Sequence, residues 1–203
     1  MRRQRQGHTY KIVKNYYYIH GFASGENSTT FGKIKDRIPS AKALLYDSVK
    51  TYRENMASLI SQVADDKEPC CIIGSSLGGF YAMQLTPFVH CCAARLLVNP
   101  CVVPRSTLKS FKGDCQDFET GKPFSLTSDI CNSYPEDLDV VKLSRGIPTA
   151  VLLSKNDEVL DFRIAEHKFR HIADIKYING KHRLSDFPAF FNTLKELICA
   201  ASF

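Results

Sequence analysis

Long apolar runs are missing from this chain. No stretch reaches the ~20 consecutive apolar residues of a transmembrane helix, so we expect no membrane span. The basic start does not lead into the apolar segment of a secretory signal, because Lys11 and Lys14 interrupt it. The arginines near the start would also suit a mitochondrial transit peptide, but the first strand pattern already begins by about Lys11. We therefore expect a protein that is neither embedded in a membrane nor secreted.

The cysteine spacings of a metal site are also missing. The chain has eight cysteines, but none forms a C-x-x-C pair, and adjacent cysteines are poorly spaced for zinc. Residues 90–92 are the only His/Cys cluster, and we interpret them as structural, so no metal is expected. Cysteines 70, 71, 91 and 92 lie in or beside strand-like runs, where a free thiol behaves as a small hydrophobe. Without a secretory signal, this pattern favours reduced thiols in a cytoplasmic location over a disulfide framework.

Acidic residues are absent from the first fourteen positions, and this explains the net charge. The chain carries a net charge of +6, and residues 1–14 hold five basic residues and no acidic one. The remaining chain is therefore nearly neutral. We expect residues 1–10 to form a frayed basic tail, and we expect no dedicated nucleic-acid site.

Strand and helix patterns alternate along the chain. With 203 residues it can bury one sizeable core, so we expect a single domain over residues 1–203. Strands are predicted at 11–19, 43–46, 69–74, 95–98, 148–153 and 175–178, and helices at 28–37, 51–66, 76–88, 161–171 and from 186. This alternation predicts an α/β fold with a mostly parallel sheet and helices on both faces.

Residues 101–145 interrupt this alternation. They contain three prolines, two glycines, several charges and only short apolar pieces. A segment of this length without clear periodicity is often a functional lid, so we interpret it as a lid-like insertion. Phe111, Phe118 and Phe124 are candidate lining of an acyl pocket, although a purely structural role for these rings is equally open.

The most informative motif is Gly74-Ser75-Ser76-Leu77-Gly78, a G-x-S-x-G sequence. It follows the apolar run 70–73 and precedes the helix-like stretch 80–85. A G-x-S-x-G between a buried strand and a helix is typical of the nucleophile elbow of serine hydrolases. Gly74 and Gly78 would remove the collision of side chains across the sharp turn, which leaves the Ser76 hydroxyl exposed at its tip.

A serine nucleophile needs a base and a carboxylate that follow it in the chain in the order acid, then histidine. Asp157 comes directly after the strand at 148–153, and His182 directly after the last strand. Glu158 and Asp161 could replace Asp157 in principle. The other histidines beyond residue 76 are poorly placed, because they lie in a helix after Asp157 or at the far end of the elbow helix: His167, His171 and His90.

An oxyanion hole needs two backbone donors close to the nucleophile. The first should be the N–H of Leu77. The second should come from the loop after the first strand, where Phe22 is the best candidate because Gly21 lets the backbone bend inward. His20 is interpreted as organising this loop rather than acting as a base.

Together these motifs resemble the small bacterial YqiA/YcfP-type esterases of the α/β-hydrolase superfamily. The resemblance covers nearly the whole chain after residue 12, through stretches 18–22, 73–82, 98–100 and 156–163 and the final histidine before an aromatic-rich helix. It implies a minimal α/β-hydrolase fold and carboxylesterase activity on short acyl esters. It also implies that Ser76, Asp157 and His182 form the catalytic triad.

The expected function is therefore cleavage of a short-chain carboxylic ester of a small molecule through an acyl-enzyme on Ser76, without metal or organic cofactor. Two alternatives stay open from the sequence. One is a non-catalytic binding module on the same fold, since fold alone does not decide activity. The other is a thioesterase or carbon–carbon hydrolase that uses the same three residues. The sequence does not fix the oligomeric state.

Overall fold

The computed structural model describes residues 13–201 of the chain. Its strands, in chain order, are β1 (Asn15–Ile19), β2 (Lys42–Leu44), β3 (Cys70–Ser75), β4 (Cys92–Val98), β5 (Gly113–Gln116), β6 (Pro123–Leu126), β7 (Thr149–Ser154) and β8 (Asp174–Ile178). Six of these strands form one parallel sheet in the order β2-β1-β3-β4-β7-β8. Strands β5 and β6 form a separate antiparallel hairpin. The carboxyl ends of the parallel strands meet at one edge, where loops from distant parts of the chain come together.

The helices connect the strands and cover the sheet. They are α1 (Thr29–Arg37), α2 (Tyr52–Val63), α3 (Leu77–Leu85), α4 (Pro104–Ser110), α5 (Ser128–Ser133), α6 (Val140–Ser144), α7 (Phe162–Phe169) and α8 (Phe187–Ala201). Local side chains fix several of their starts. The Ser28 hydroxyl caps α1, while Thr51 and Glu54 form a reciprocal capping box at α2. In the described part of the chain, no helix combines the length and the apolar character that crossing a bilayer requires.

Alternate residues of the strands enter two different cores, one on each face of the sheet. In β3, Ile72 packs with residues of α2, α3 and α7, whereas Ile73 packs with residues of α1 and α8. Both isoleucines are fully buried. A strand buried on both faces is continuously apolar, which is why the sequence of β3 reads as an uninterrupted apolar run. The two cores hold the sheet edge that carries the site in a fixed position.

The predicted α/β fold with a mostly parallel sheet and helices on both faces is confirmed, with differences at the ends of elements. The first strand was predicted from residue 11 but begins at Asn15, and residues 11 and 12 and the predicted frayed tail lie outside the described residues. The helix predicted over 51–66 ends at Val63. The α-helix after the elbow ends at Leu85 and continues as the 3₁₀ turn Thr86–Phe88.

Residues 101–145 contain more regular structure than their sequence suggested. They form α4, the β5–β6 hairpin, α5 and α6, all of them short elements. Short elements give too few repeats for a clear periodicity, which explains why the sequence pattern was weak here. The interpretation of this segment as a lid-like insertion stays a prediction.

Candidate active site

Ser76 lies in a strained turn between β3 and α3. Its backbone has φ 54° and ψ −120°, a combination that a residue with a side chain rarely adopts and that costs about 1–3 kcal/mol. Neighbouring strands hold this conformation. The Ser76 N–H donates to the Val98 carbonyl at 2.9 Å, and the Ser76 carbonyl accepts from the Cys101 N–H at 3.0 Å. The turn is therefore fixed by the end of β4 as well as by its own sequence.

The glycines on either side of Ser76 allow this turn because there is no room for a side chain. A Cβ on Gly74 would lie 2.8 Å from the Gly79 Cα, and a Cβ on Gly78 would lie 2.6 Å from the Ile19 backbone carbon. Both distances are below any that real Cβ atoms show. The two glycines thus let α3 begin directly against β1 and β3.

Ser76, His182 and Asp157 are joined by hydrogen bonds, although they lie far apart in the sequence. The Nε2 atom of His182 is 2.9 Å from the Ser76 hydroxyl oxygen. The Nδ1 atom of the same ring is 2.8 Å from Oδ2 of Asp157 and 3.0 Å from Oδ1. With the proton on Nδ1, the ring donates to the carboxylate and accepts from the serine hydroxyl. This is the arrangement that can activate a serine as a nucleophile.

The Asp157 carboxylate is enclosed, and the backbone orients it. Its side chain is only 1% exposed, against 14% for His182. Atom Oδ1 also accepts from the N–H groups of Val159 and Leu160, at 2.9 and 2.8 Å. These two bonds leave Oδ2 as the oxygen closest to the histidine ring. One orientation of the carboxylate therefore satisfies all of these hydrogen-bond partners.

The two other acids considered for this position have different contacts. Glu158 accepts from the backbone N–H of His182 at 2.9 Å, and this hydrogen bond lowers the pKa of its carboxyl. Asp161 caps α7 and forms an ion pair with Arg163. Neither carboxylate reaches the His182 ring.

Among residues 13–201, His182 alone of the histidines is hydrogen-bonded to Ser76. The exposed side chains of His90, His167 and His171 do not line the groove that contains Ser76. His20 is buried and stacks on Tyr46 with ring centroids 4.3 Å apart. Burial lowers the pKa of His20, and its Nδ1 lies 2.8 Å from the Gly21 carbonyl. A neutral, hydrogen-bonded ring at this position holds the loop after β1.

The two residues predicted to supply oxyanion-hole N–H groups, Phe22 and Leu77, line the same groove as Ser76. Leu77 is the first residue of α3, where a helix leaves its N–H groups without an intrahelical acceptor. Phe22 lies in the loop after β1, and a Cβ on the preceding Gly21 would be 3.4 Å from the Ser76 Cβ. Both Phe22 and Leu77 line the groove, and neither N–H has an acceptor among residues 13–201. A developing oxyanion could therefore bind here.

A groove of about 940 Å³ opens beside Ser76 and His182. Of the three phenylalanines predicted to line a pocket, Phe111 and Phe118 lie on its wall. Phe124 is not among its lining residues and packs edge-on against Phe22, with ring centroids 5.8 Å apart. Phe124 lies in β6, is partly buried, and packs against the core cluster that contains Leu126 and Ile130. The groove combines apolar walls with a few polar groups, as small-molecule sites do.

The hairpin turn is attached to the loop after β1. The Glu119 carboxylate accepts hydrogen bonds from the Ser24 hydroxyl at 2.9 Å and from the Asn27 N–H at 3.0 Å, and it also accepts from the Gly25 N–H. The Phe118 N–H donates to the Ala23 carbonyl at 2.8 Å. The Arg183 guanidinium lies over the Phe118 ring, 4.6 Å from its centroid. The residues around Phe118 thus bridge the two loops that carry Phe22 and His182.

Asn99 was not recognised as a site residue from the sequence. It follows β4, is 2% exposed, and hydrogen-bonds to the segment that carries His182. Its backbone has φ 43°, in the left-handed region that asparagine tolerates better than most residues. An asparagine before a proline at the end of a buried strand was the available signal, but this pattern is common in turns.

The parallel six-stranded sheet, the strained serine turn and the groove at the carboxyl ends of the strands define an α/β-hydrolase fold. The family model described as "Uncharacterised protein family (UPF0227)" matches residues 15–199, and the chain belongs to this family. This is the YqiA/YcfP family, so the resemblance inferred from the motifs is confirmed.

Solved structures with the same fold are distant in sequence. Est1E from Butyrivibrio proteoclasticus has a TM-score of 0.69 at 10% identity, over 94% of this chain and 89% of that chain. The esterase domain of a Rhodothermus marinus protein has a TM-score of 0.65 at 15% identity, over 96% and 88%. Alpha/beta hydrolase domain-containing protein 10 from mouse has a TM-score of 0.67 at 15% identity, over 93% and 90%. At these identities the similarity establishes the fold.

Proposed function

We propose that this protein is a serine hydrolase that cleaves short-chain carboxylic esters of small molecules through an acyl-enzyme on Ser76. The observation that carries the proposal is the hydrogen-bonded chain from Ser76 through His182 to Asp157. Its Oγ–Nε2 separation of 2.9 Å lies within reach of direct proton transfer. The serine end of this hydrogen-bonded series lies at the groove, so a substrate carbonyl can approach Ser76.

In the first half of the proposed reaction, the Ser76 oxygen attacks the ester carbonyl carbon while Nε2 of His182 takes the hydroxyl proton. Asp157 keeps the second ring proton on Nδ1 and stabilises the imidazolium that forms. The carbonyl oxygen becomes an oxyanion and accepts hydrogen bonds from the N–H groups of Phe22 and Leu77. Collapse of this intermediate breaks the bond to the alcohol oxygen, which receives the proton from His182.

In the second half, water replaces the alcohol. His182 takes a proton from water as its oxygen attacks the acyl carbon, and a second oxyanion forms at the same two N–H groups. Collapse releases the carboxylic acid and returns the proton to Ser76. The side chains and backbone groups named here account for every proton moved, so the proposed reaction requires no metal and no organic cofactor.

Two features of the site favour an enzyme over a binding module. A module without catalysis would not need a strained backbone at Ser76 or a carboxylate that is 1% exposed behind the histidine. Both features carry a cost in stability that activity would explain. We favour the enzyme for this reason. Thioester or carbon–carbon bond cleavage on the same residues remains the alternative chemistry.

A fluorophosphonate probe tests the proposal directly, since it reacts with an activated serine. We expect one covalent adduct, mapped to Ser76 by peptide mass spectrometry, which also distinguishes it from Ser75. The Ser76→Ala variant should not be labelled, and its kcat on p-nitrophenyl esters should fall by about 10⁴-fold or more. Folded wild-type protein that takes no label would favour the binding module instead.

A substrate panel then separates the possible reactions. A series of p-nitrophenyl esters of increasing acyl length, with thioesters and a carbon–carbon substrate alongside, should show the highest kcat/KM on a short ester. The Ser76→Ala variant serves as the blank for each substrate. A preference for thioesters, or for long acyl chains, would correct the proposed substrate while leaving the role of Ser76 in place.

We further propose a reducing compartment such as the cytoplasm. All eight cysteines are free thiols, including the adjacent pair Cys70 and Cys71 in the buried strand β3. Persistence of free thiols is typical of reducing compartments. Thiol quantification in freshly lysed native source cells under alkylating conditions should find eight reactive groups after unfolding, and any stable disulfide would contradict this.

A further inference from the structure

His182 is not part of a helix or strand. It lies in the irregular segment between β8 and α8, whose residues are fixed by side-chain contacts rather than by a regular backbone ladder. One backbone bridge, between Gly180 and Leu184, closes the segment. The position of the imidazole therefore depends on the groups that hold this short piece of main chain.

Two buried side chains bond to the main chain of this segment: the Ser154 hydroxyl donates to the Gly180 carbonyl, and Asn99 bonds closer to the histidine. Its Nδ2 donates to the His182 carbonyl at 2.9 Å and to the Lys181 carbonyl at 3.3 Å. Its Oδ1 accepts from the Ser154 N–H at 2.8 Å, at the end of β7. The Asn99 N–H donates to the Leu152 carbonyl at 2.9 Å. One carboxamide thus joins the ends of β4 and β7 to the main chain of the histidine.

The main chain of His182 is held on both sides. Its carbonyl is held by Asn99, and its N–H donates to Glu158 at 2.9 Å. Glu158 is exposed to solvent, whereas Asn99 is 2% exposed. Water can replace an exposed acceptor at little cost, but it cannot easily replace a buried donor. Of the two side chains bonded to the main chain of His182, Asn99 is therefore the one that water cannot easily replace.

We propose that Asn99 is a positioning residue that sets the His182 imidazole within hydrogen-bond reach of Ser76. Its effect on turnover rests on the proposed function, while its effect on the position of the ring does not. The Nε2–Oγ separation of 2.9 Å leaves little tolerance, because a displacement of about 1 Å at a reacting group can lower a rate by about 10²-fold.

The chain contains a matched control for this carboxamide. Asn55 is 0% exposed, and its Oδ1 accepts from the Asp47 N–H at 3.0 Å. Its Nδ2 donates to the carbonyls of Asp47 and Lys50, at 2.9 and 3.3 Å. Deletion of either amide leaves one backbone N–H and two carbonyls without their partner. Only the amide of Asn99 is bonded to the histidine segment.

The test compares Asn99→Gly with Asn55→Ala, each chosen to suit its backbone. Glycine adopts the φ of 43° at position 99 without strain, and alanine suits the helical position 55. Two quantities are measured in each folded variant. The first is the NMR resonance of the His182 Nδ1 proton, assigned by its absence from His182→Gln. The second is the rate of fluorophosphonate labelling at Ser76.

We expect Asn99→Gly to lose or broaden the Nδ1 resonance and to label about 10²-fold more slowly than wild type. Asn55→Ala should lower the melting temperature but keep the resonance. An unchanged resonance and labelling rate in Asn99→Gly would overturn the proposal, as would equal loss of the resonance in Asn55→Ala. If wild-type protein does not label at all, the proposed function fails, and the resonance alone still decides the role of Asn99.

A conservative variant decides the case in which Asn99→Gly does not fold. In Asn99→Asp the carboxyl keeps an acceptor for the Ser154 N–H, and it can donate to the His182 carbonyl only when protonated. The Nδ1 resonance of this variant, compared with wild type at the same pH, should recover as the pH is lowered. No recovery, or failure of both Asn99 variants to fold while Asn55→Ala folds, would show a role in folding alone and would overturn the proposal.

Discussion

Replacement of Asp157 by asparagine should move a proton on His182 without moving the ring. In Asp157→Asn one carboxylate oxygen becomes an NH₂ group. Atom Oδ1 accepts from two backbone N–H groups, at 2.9 and 2.8 Å, so the amide oxygen must stay at this position. The NH₂ group then lies at the place of Oδ2, 2.8 Å from Nδ1 of His182. An NH₂ group can only donate, so the shorter contact favours Nδ1 as an acceptor over the longer contact of 3.0 Å with the oxygen at Oδ1.

This change of tautomer has a calculable effect on catalysis. When Nδ1 loses its proton, Nε2 gains it and can no longer accept from the Ser76 hydroxyl. Loss of the correct tautomer in a serine triad lowers kcat by about 10⁴-fold, which corresponds to about 5.4 kcal/mol of transition-state stabilisation. We therefore expect Asp157→Asn to reduce kcat on a p-nitrophenyl ester by about 10⁴-fold, with the melting temperature changed little.

The matched control is Asp161→Asn, four residues along the same loop. Asp161 caps α7 and pairs with Arg163 on the surface, away from the His182 ring, so this variant should keep kcat within about twofold of wild type. Loss of the exposed ion pair should change the free energy of unfolding by ~1 kcal/mol or less. Burst and steady-state kinetics at neutral pH measure both variants. If folded Asp157→Asn retains more than a tenth of the wild-type kcat, the assignment of Asp157 as the acid that orients His182 is wrong.

Two further predictions concern stability. Gly78→Ala should lower the free energy of unfolding by about 1–3 kcal/mol or more, because the new Cβ would collide with the Ile19 backbone. Gly32→Ala should raise the free energy of unfolding by about 0.5–1 kcal/mol, because helix α1 has open space at this position. Denaturant titrations that ranked the two variants in the opposite order would contradict the steric argument. The lowered pKa of Glu158 stabilises the fold at pH values above 4.5, the ordinary pKa of this carboxyl group. This contribution is lost as the pH falls through the lower pKa that Glu158 has in the folded protein. The melting temperature of Glu158→Gln should therefore lie below that of wild type near neutrality and converge with it in acid, and a difference independent of pH would refute this.

The sequence was sufficient for the parts of the site that depend on local geometry and on strand direction. Gly74 and Gly78 identify the elbow because a turn this sharp excludes side chains at two fixed offsets from Ser76. Asp157 and His182 could be selected because each follows a strand of a parallel sheet, and such strands end at the same edge. Strand direction alone brings them to one edge of the sheet, whereas the fine position of the His182 ring is proposed to depend on Asn99.

Contacts between distant loops could not be predicted in the same way. Asn99 is bonded to a segment more than eighty residues further along the chain, and nothing in the neighbouring sequence specifies that partner. The partly buried position of Phe124 depends on the pairing of two four-residue strands, whose sequence is too short and too polar to show a period. The Glu119 carboxylate likewise looks like a solvated loop acid until the loop at residues 24–27 is brought beside it.

The attachment of the hairpin turn to the loop after β1 would link the shape of the groove to the proposed reaction at Ser76. Phe118 forms part of the groove wall, and its N–H is bonded to Ala23, the residue next to the Phe22 backbone donor. Outward displacement of this wall would pull on the same stretch of main chain that is proposed to stabilise the oxyanion. A substrate too large for the groove would thus be penalised twice, once in binding and once in the barrier to acyl transfer, so size selection would appear in kcat as well as in KM.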